Sequence, residues 1–255
     1  MEITNPAFNY DKYGKQYSGQ RRTDPHIATF INEALGDAKT VLNIGAGAGS
    51  YEPEDRYVIA VEPSIAMRAQ RINNHKIPAI IATADNLPFD DKAFDATMAI
   101  VTVHHWPDIR KGLQELRRVT KHRVIVMTFD PDSLGNFWNA EYFPEVIEVE
   151  RQRYPTIDFL MEAMGGKTLV EAVSVPLNCV DGFQEAYYGR PEAFLSKEVR
   201  KAQSAWGFIA EDEQERIVKR LADDLESGAW DAKFGHYRTQ PTFTCALRLI
   251  IADYD

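Results

Sequence analysis

Short apolar runs alternate with helix-patterned segments through the first half of this chain, and that alternation restricts the fold more than any other feature. The apolar runs fall at 40–44, 57–61, 79–82, 95–103 and 123–128. Helical spacing marks 25–35, a segment from 64 through Ala66, Met67 and Ala69, and 109–119, with Asp24-Pro25 and Pro63-Ser64 as start signals and Gly36 as a stop. Parallel strands joined by right-handed helical crossovers are the expected outcome. The runs are apolar throughout rather than alternating, as in strands covered on both faces. The fold class is therefore α/β, a doubly wound sheet that binds ligands at the carboxyl ends of its strands.

After Asp130 the regularity breaks. Segments 131–167 and 181–235 are aromatic and mostly helical, and a minimal sheet needs neither. They are read as cap insertions carrying a substrate pocket, on a binding core of about 24–130 within one domain spanning 1–255. Runs at 169–175 and 242–252 read as two further strands.

The length of 255 residues suffices for a large core without disulfides or structural metal. A net charge of −9 excludes a broad nucleic-acid footprint, which needs a Lys/Arg surface. Cys179 and Cys245 match no zinc spacing and read as buried thiols. No apolar run reaches bilayer length and residues 1–10 lack a signal pattern. The expectation is a cytoplasmic protein without membrane or nucleic-acid partners, monomeric or homodimeric, and without a metal.

Gly45-x-Gly47-x-Gly49 directly follows a strand, where glycine permits a sharp turn and close approach to a ligand. Its third glycine comes one residue too early for the dinucleotide fingerprint. Pro53 and Pro63 also leave little room for a long helix after the loop. Glu62 ends the second strand 17 residues after Gly45, near the spacing of about 20 at which an acid meets ribose hydroxyls. Asp85 ends the third run, where it either accepts from an adenine amino group or caps its own loop.

Four stretches together resemble the successive motifs of class I S-adenosylmethionine (SAM)-dependent methyltransferases: Val41-Leu42-Asn43-Ile44-Gly45-Ala46-Gly47-Ala48-Gly49, Val61-Glu62-Pro63-Ser64, Ala84-Asp85-Asn86-Leu87-Pro88-Phe89 and Phe94-Asp95-Ala96. The resemblance is to the type 11 group, which includes quinone-biosynthesis methyltransferases, and covers about residues 8–130. It implies a Rossmann-like sheet of seven strands with the last antiparallel. It also implies methyl transfer from SAM to a small-molecule acceptor, leaving S-adenosylhomocysteine. Gly45, Ala46, Gly47 and Gly49 would line the methionine end of SAM, Glu62 and Pro63 the ribose, and Asp85, Asn86, Leu87 and Met67 the adenine. Tyr17 and Arg21 resemble an element before the first strand that meets the SAM carboxylate, and Thr102 lies where the family places its reacting groups. Many members carry an acid where Asn43 stands, so weaker SAM binding is expected.

Methyl transfer is an in-line displacement in which positioning does much of the work. A base helps when the nucleophile must lose a proton, and His104 and His105 are the candidates. As neighbours on a strand end they would point to opposite sides, so only one would face the site; an ordering role for the loop competes with catalysis. Two alternatives stand beside the methyltransferase reading: an NAD-dependent oxidoreductase, and a SAM-binding protein without transferase activity.

Overall fold

The computed structural model describes residues 21–254. Its strands are β1 (Thr40–Ile44), β2 (Tyr57–Val61), β3 (Phe94–Ile100), β4 (Thr120–Phe129), β5 (Lys167–Ala172), β6 (Val175–Pro176), β7 (Thr242–Phe243) and β8 (Leu247–Asp253). Its α-helices are α1 (Pro25–Leu35), α2 (Ile65–Asn73), α3 (Ile109–Val119), α4 (Asn139–Tyr142), α5 (Pro144–Arg153), α6 (Ile157–Met164), α7 (Lys197–Lys201), α8 (Glu211–Ser227) and α9 (Ala229–Phe234). None of these helices is long and apolar enough to cross a membrane.

Helix starts follow local chemistry. Asp24 accepts from the backbone N–H groups of His26 and Ile27 and caps α1, with Pro25 in its first turn. Ser64 accepts from Met67 N–H at α2, and Asp108 from Lys111 N–H at α3. Each such cap is worth about 1 kcal/mol.

The main sheet runs β2-β1-β3-β4-β8-β5. β8 lies antiparallel between β4 and β5, with Met127 opposite Leu249 and Val170 opposite Ile250; the last strand is antiparallel, as expected. Successive residues serve opposite faces. Val41, Met98, Ile125 and Leu249 join a core with α1 and the cap, whereas Leu42, Ala99, Val124, Val126 and Ile250 join one with α3 and α6.

The sheet has six strands, not the seven expected. The isoleucine-rich run 79–82 makes only one parallel bridge, Val61 to Ile80. Among the described residues nothing covers this edge: Ile81 is 71% exposed, as is the neighbouring Ile77. A strand needs a face to bury, and without one the apolar composition does not build a ladder. The other bounds also shift. β3 ends at Ile100, and 103–105 is a 3-10 turn rather than strand. The run 169–175 is replaced by β5, a break and β6, and the run 242–252 divides into β7 and β8. The short strands β6 and β7 pair in a sheet of their own.

The cap aromatics pack against one another. Trp138 stacks edge-on with Trp230 at 5.6 Å and donates its indole N–H to Tyr188 O at 2.7 Å. Phe143 meets Trp206 at 5.0 Å, and Tyr142, Tyr187 and Tyr188 are buried with them. Cys179 and Cys245 are buried free thiols.

Candidate active site

The chain passes from β1 to β2 on one side of β1 and returns to β3 on the other, so a crevice opens beyond the carboxyl ends of these strands. A cavity of about 370 Å³ lies there. It falls within the size range of small-molecule sites.

The glycine loop forms its floor. Gly45 has φ +63°, and a β-carbon there would lie 2.1 Å from the Thr102 hydroxyl. Only glycine lets the end of β1 touch the loop after β3. Gly47 has φ +52° and open space where a β-carbon would stand. Residues 45–56 form turns and no helix, so the loop lacks the helix N-terminus on which a pyrophosphate cradle depends.

Glu62 is held as a fixed acceptor. Its Oε2 accepts from Gly47 N–H and its Oε1 from Ser64 N–H, both at 2.8 Å. Burial raises its pKa, while these two N–H groups act in the opposite sense. Each oxygen retains a lone pair for a ligand hydroxyl.

Asn43 explains its own departure from the family pattern. Its Nδ2 donates to Glu52 Oε1 at 3.0 Å, and Arg71 grips both oxygens of Glu52 at 2.8 and 3.2 Å in a buried pair. The acid stands on Glu52, and an acid at 43 would face it directly.

Arg21, Gly45, Ala46, Gly47, Glu62, Pro63, Met67, Thr102 and His105 line this cavity. Gly49, Asp85, Asn86, Leu87 and His104 do not: the wall ends at Ala82, Thr83 and Ala84, and Leu87 is buried in the core. Tyr17 lies outside the described residues. Asp181 and Tyr51 are wall residues that sequence reasoning missed. The Tyr51 hydroxyl donates to Asp181 Oδ2 at 2.9 Å, and Arg21 Nε donates to Asp181 Oδ1 at 2.6 Å. Tyr51 and Asp181 are 130 residues apart, so no local pattern signals the pair. Trp106 both lines the cavity and packs on Gly112.

Arg21, Val101 and His105 line both this cavity and a second, of about 40 Å³. The φ of +50° at Val101 is costly for a β-branched residue and falls where the two sites meet. The second cavity is lined by residues of the cap together with Arg21, Val101, His104, His105 and Phe129.

The two histidines share a turn, so the expectation that strand alternation sends them to opposite sides is corrected. Their rings lie 3.8 Å apart, and His104 also stacks on Tyr154 at 4.2 Å. Burial, then Arg153 and Arg21, pushes His105 down to about 3. Burial and its cationic neighbours hold His104 well below the ordinary histidine range. The Arg153 guanidinium lies 3.4 Å from His105 Nδ1; because it can only donate, Nδ1 is the acceptor and the proton of the neutral ring stands on Nε2. Both rings are weak proton acceptors at neutral pH.

Comparison with known proteins agrees with this architecture. Residues 42–128 match the family described as a methyltransferase domain. The chain is 36% identical to demethylmenaquinone methyltransferase of Corynebacterium urealyticum over 121 residues, 47% of this chain and 50% of that protein. It spans half or less of the length of this relative and of several other curated proteins that it matches. A solved structure described as a methyltransferase from an antibiotic biosynthesis pathway of Anabaena variabilis superposes with a TM-score of 0.83 at 28% identity, covering 92% of this chain and 99% of that one. Geranyl diphosphate C-methyltransferase of Streptomyces coelicolor shares the fold at 17% identity and a TM-score of 0.50, over 89% of this chain and 74% of that one. The likeness is therefore to methyltransferases: by the family model over residues 42–128, and in fold over nearly the whole chain.

Proposed function

We propose that this chain binds SAM in the larger cavity and methylates a small-molecule acceptor. The observation that carries the reading is Glu62, fixed by Gly47 and Ser64 at the wall of a 370 Å³ cavity. A buried carboxylate with lone pairs to spare suits a ribose diol. The positive-φ glycines make the cradle, and Ile44, Val61, Met67 and Ala82 give an apolar wall for a purine. SAM supplies an activated methyl group when bound.

The residues of the chain supply placement rather than acid–base chemistry. Gly45 against Thr102 sets the distance between the cofactor floor and the acceptor side. Asp181 holds Arg21 and Tyr51 across the cavity. His105, which lines both cavities, and His104, which lines the second, are kept neutral and serve to exclude water instead of removing a proton. The roles of Asp85, Asn86 and Leu87 toward adenine would require that loop to move inward. An acceptor bound in the second cavity would share Arg21, Val101 and His105 with the cofactor's cavity.

The absence of a helix after the glycine loop weighs against the NAD-dependent alternative. Separate calorimetric titrations with SAM and NAD test the proposal. SAM binding that Glu62→Ala abolishes is the expected result; NAD binding without SAM binding would overturn it.

A further inference from the structure

The second cavity has a one-sided chemistry. Four acceptor oxygens, Asn139 Oδ1, Glu150 Oε2, Glu185 Oε2 and Gln203 Oε1, belong to residues that line it. They are sealed from solvent and accept no hydrogen bond among the described residues. All four side chains are more than nine-tenths buried. The remaining polar atoms of these residues are already engaged. Asn139 Nδ2 donates to Gln184 Oε1 at 3.0 Å, and Gln184 Nε2 to Glu150 Oε1 at 3.5 Å. Gln203 Nε2 donates to Val199 O at 3.3 Å, and Ala246 N–H to Glu185 Oε1 at 2.8 Å. With Glu150 and Glu185 ionised, what remains on these four side chains is acceptor capacity; burial raises the pKa of both carboxyls. Buried acceptors left unmade are expensive, so the cavity selects an occupant that brings donors.

Charge is divided here. Arg21 lines the cavity and is committed to Asp181, and Arg153 pairs with Glu150 Oε2 at 3.7 Å. Glu185 accepts Ala246 N–H, and burial pushes its carboxyl up to about 7, a value that a bound cation would lower. Phe129, Phe137 and Phe183 are also in the wall, and aromatic rings are compatible with a cation. At about 40 Å³ the space admits a head group of roughly three non-hydrogen atoms.

We propose that the second cavity is an amine site, which takes the ammonium head of the methyl acceptor between Glu150 and Glu185, with Asn139 and Gln203 receiving its remaining N–H groups. This rests on the methyltransferase reading for the word acceptor, but the binding chemistry stands on the cavity alone. It sets the expected substrate class apart from apolar quinone-like acceptors.

Ligand-observed NMR titration of the full chain with 1-butylamine and 1-butanol tests the site, with SAM titrated separately by calorimetry into the same preparation. Butylamine should bind at least tenfold more tightly than butanol. Glu185→Gln and Glu150→Gln should each cut that preference at least fivefold. Gln203→Met removes one acceptor without changing charge and keeps the test open should a carboxylate variant misfold; it should weaken butylamine and leave butanol unchanged. Equal binding of the two probes, or a preference that survives all three substitutions, would overturn the amine site. Failure of SAM to bind while the amine preference persists would overturn the methyltransferase reading and the acceptor role, leaving the amine site in place.

Discussion

Asn43 donates its side-chain amide to Oε1 of Glu52 at 3.0 Å, and the same carboxylate receives the guanidinium of the buried Arg71. The acidic charge behind the glycine loop is thereby moved from the first strand to the loop itself. Asn43→Asp would bury a second carboxylate against the first. The expected cost is about 3 kcal/mol at neutral pH, the scale of an uncompensated buried charge. It should shrink at acidic pH as the new carboxyl is protonated. Asn43→Ala, which only deletes a hydrogen bond, should cost about 1 kcal/mol. Urea unfolding of the three proteins checks the order, and an Asp variant as stable as the parent would refute this account of the loop.

Gly45 and Gly47 separate conformational from steric demand. Both have positive φ, but only Gly45 meets a neighbour, the Thr102 side chain. Alanine at Gly47 should cost about 1–2 kcal/mol from φ alone. Alanine at Gly45 should cost more, because Thr102 must also move. Thermal melts should rank Gly45→Ala as the less stable; the reverse order would mean that the floor of the cavity is not set by this contact.

Glu62→Gln keeps size and shape but offers an NH2 group to one of two N–H donors, Gly47 or Ser64. A charged acceptor is thereby lost and a clash of donors gained, about 1.5–3 kcal/mol. SAM affinity should fall at least about tenfold, an outcome calorimetry reads directly. Unchanged affinity would remove Glu62 from the proposed site.

The pH dependence of stability tests the buried imidazoles. His105 is held at about 3 by burial and by Arg153 and Arg21, against an ordinary value of 6.5. The unfolded chain therefore binds the proton more readily between these values. The contribution of this group is intact above pH 6.5 and is lost as pH falls toward 3. His105→Asn should flatten the acid limb of the stability curve. Turnover, once an acceptor is found, should show no inflection near pH 6.5 from either histidine. Such an inflection that disappears in His104→Asn or His105→Asn would restore a histidine as general base.

The sequence determined the features whose causes are local. Asp24, Ser64 and Asp108 cap their helices because side chain and backbone lie within three residues of each other. The apolar runs at 40–44 and 57–61 became strands, and the glycine loop with Glu62 came together because adjacent parallel strands bring their ends into register. Tertiary structure decided the rest. Whether 79–82 became a strand depended on a cover that the sheet edge does not supply. Whether two histidines sat on a strand or in a turn depended on where β3 stopped. Asp181 joined Arg21 across 160 positions, and the acceptor oxygens of the second cavity came from 139, 150, 185 and 203. Hydrophobic periodicity and capping act over a few residues, and so leave a trace in the order of the chain. The partners of a buried charge are chosen by packing in three dimensions, and no short-range pattern records that choice.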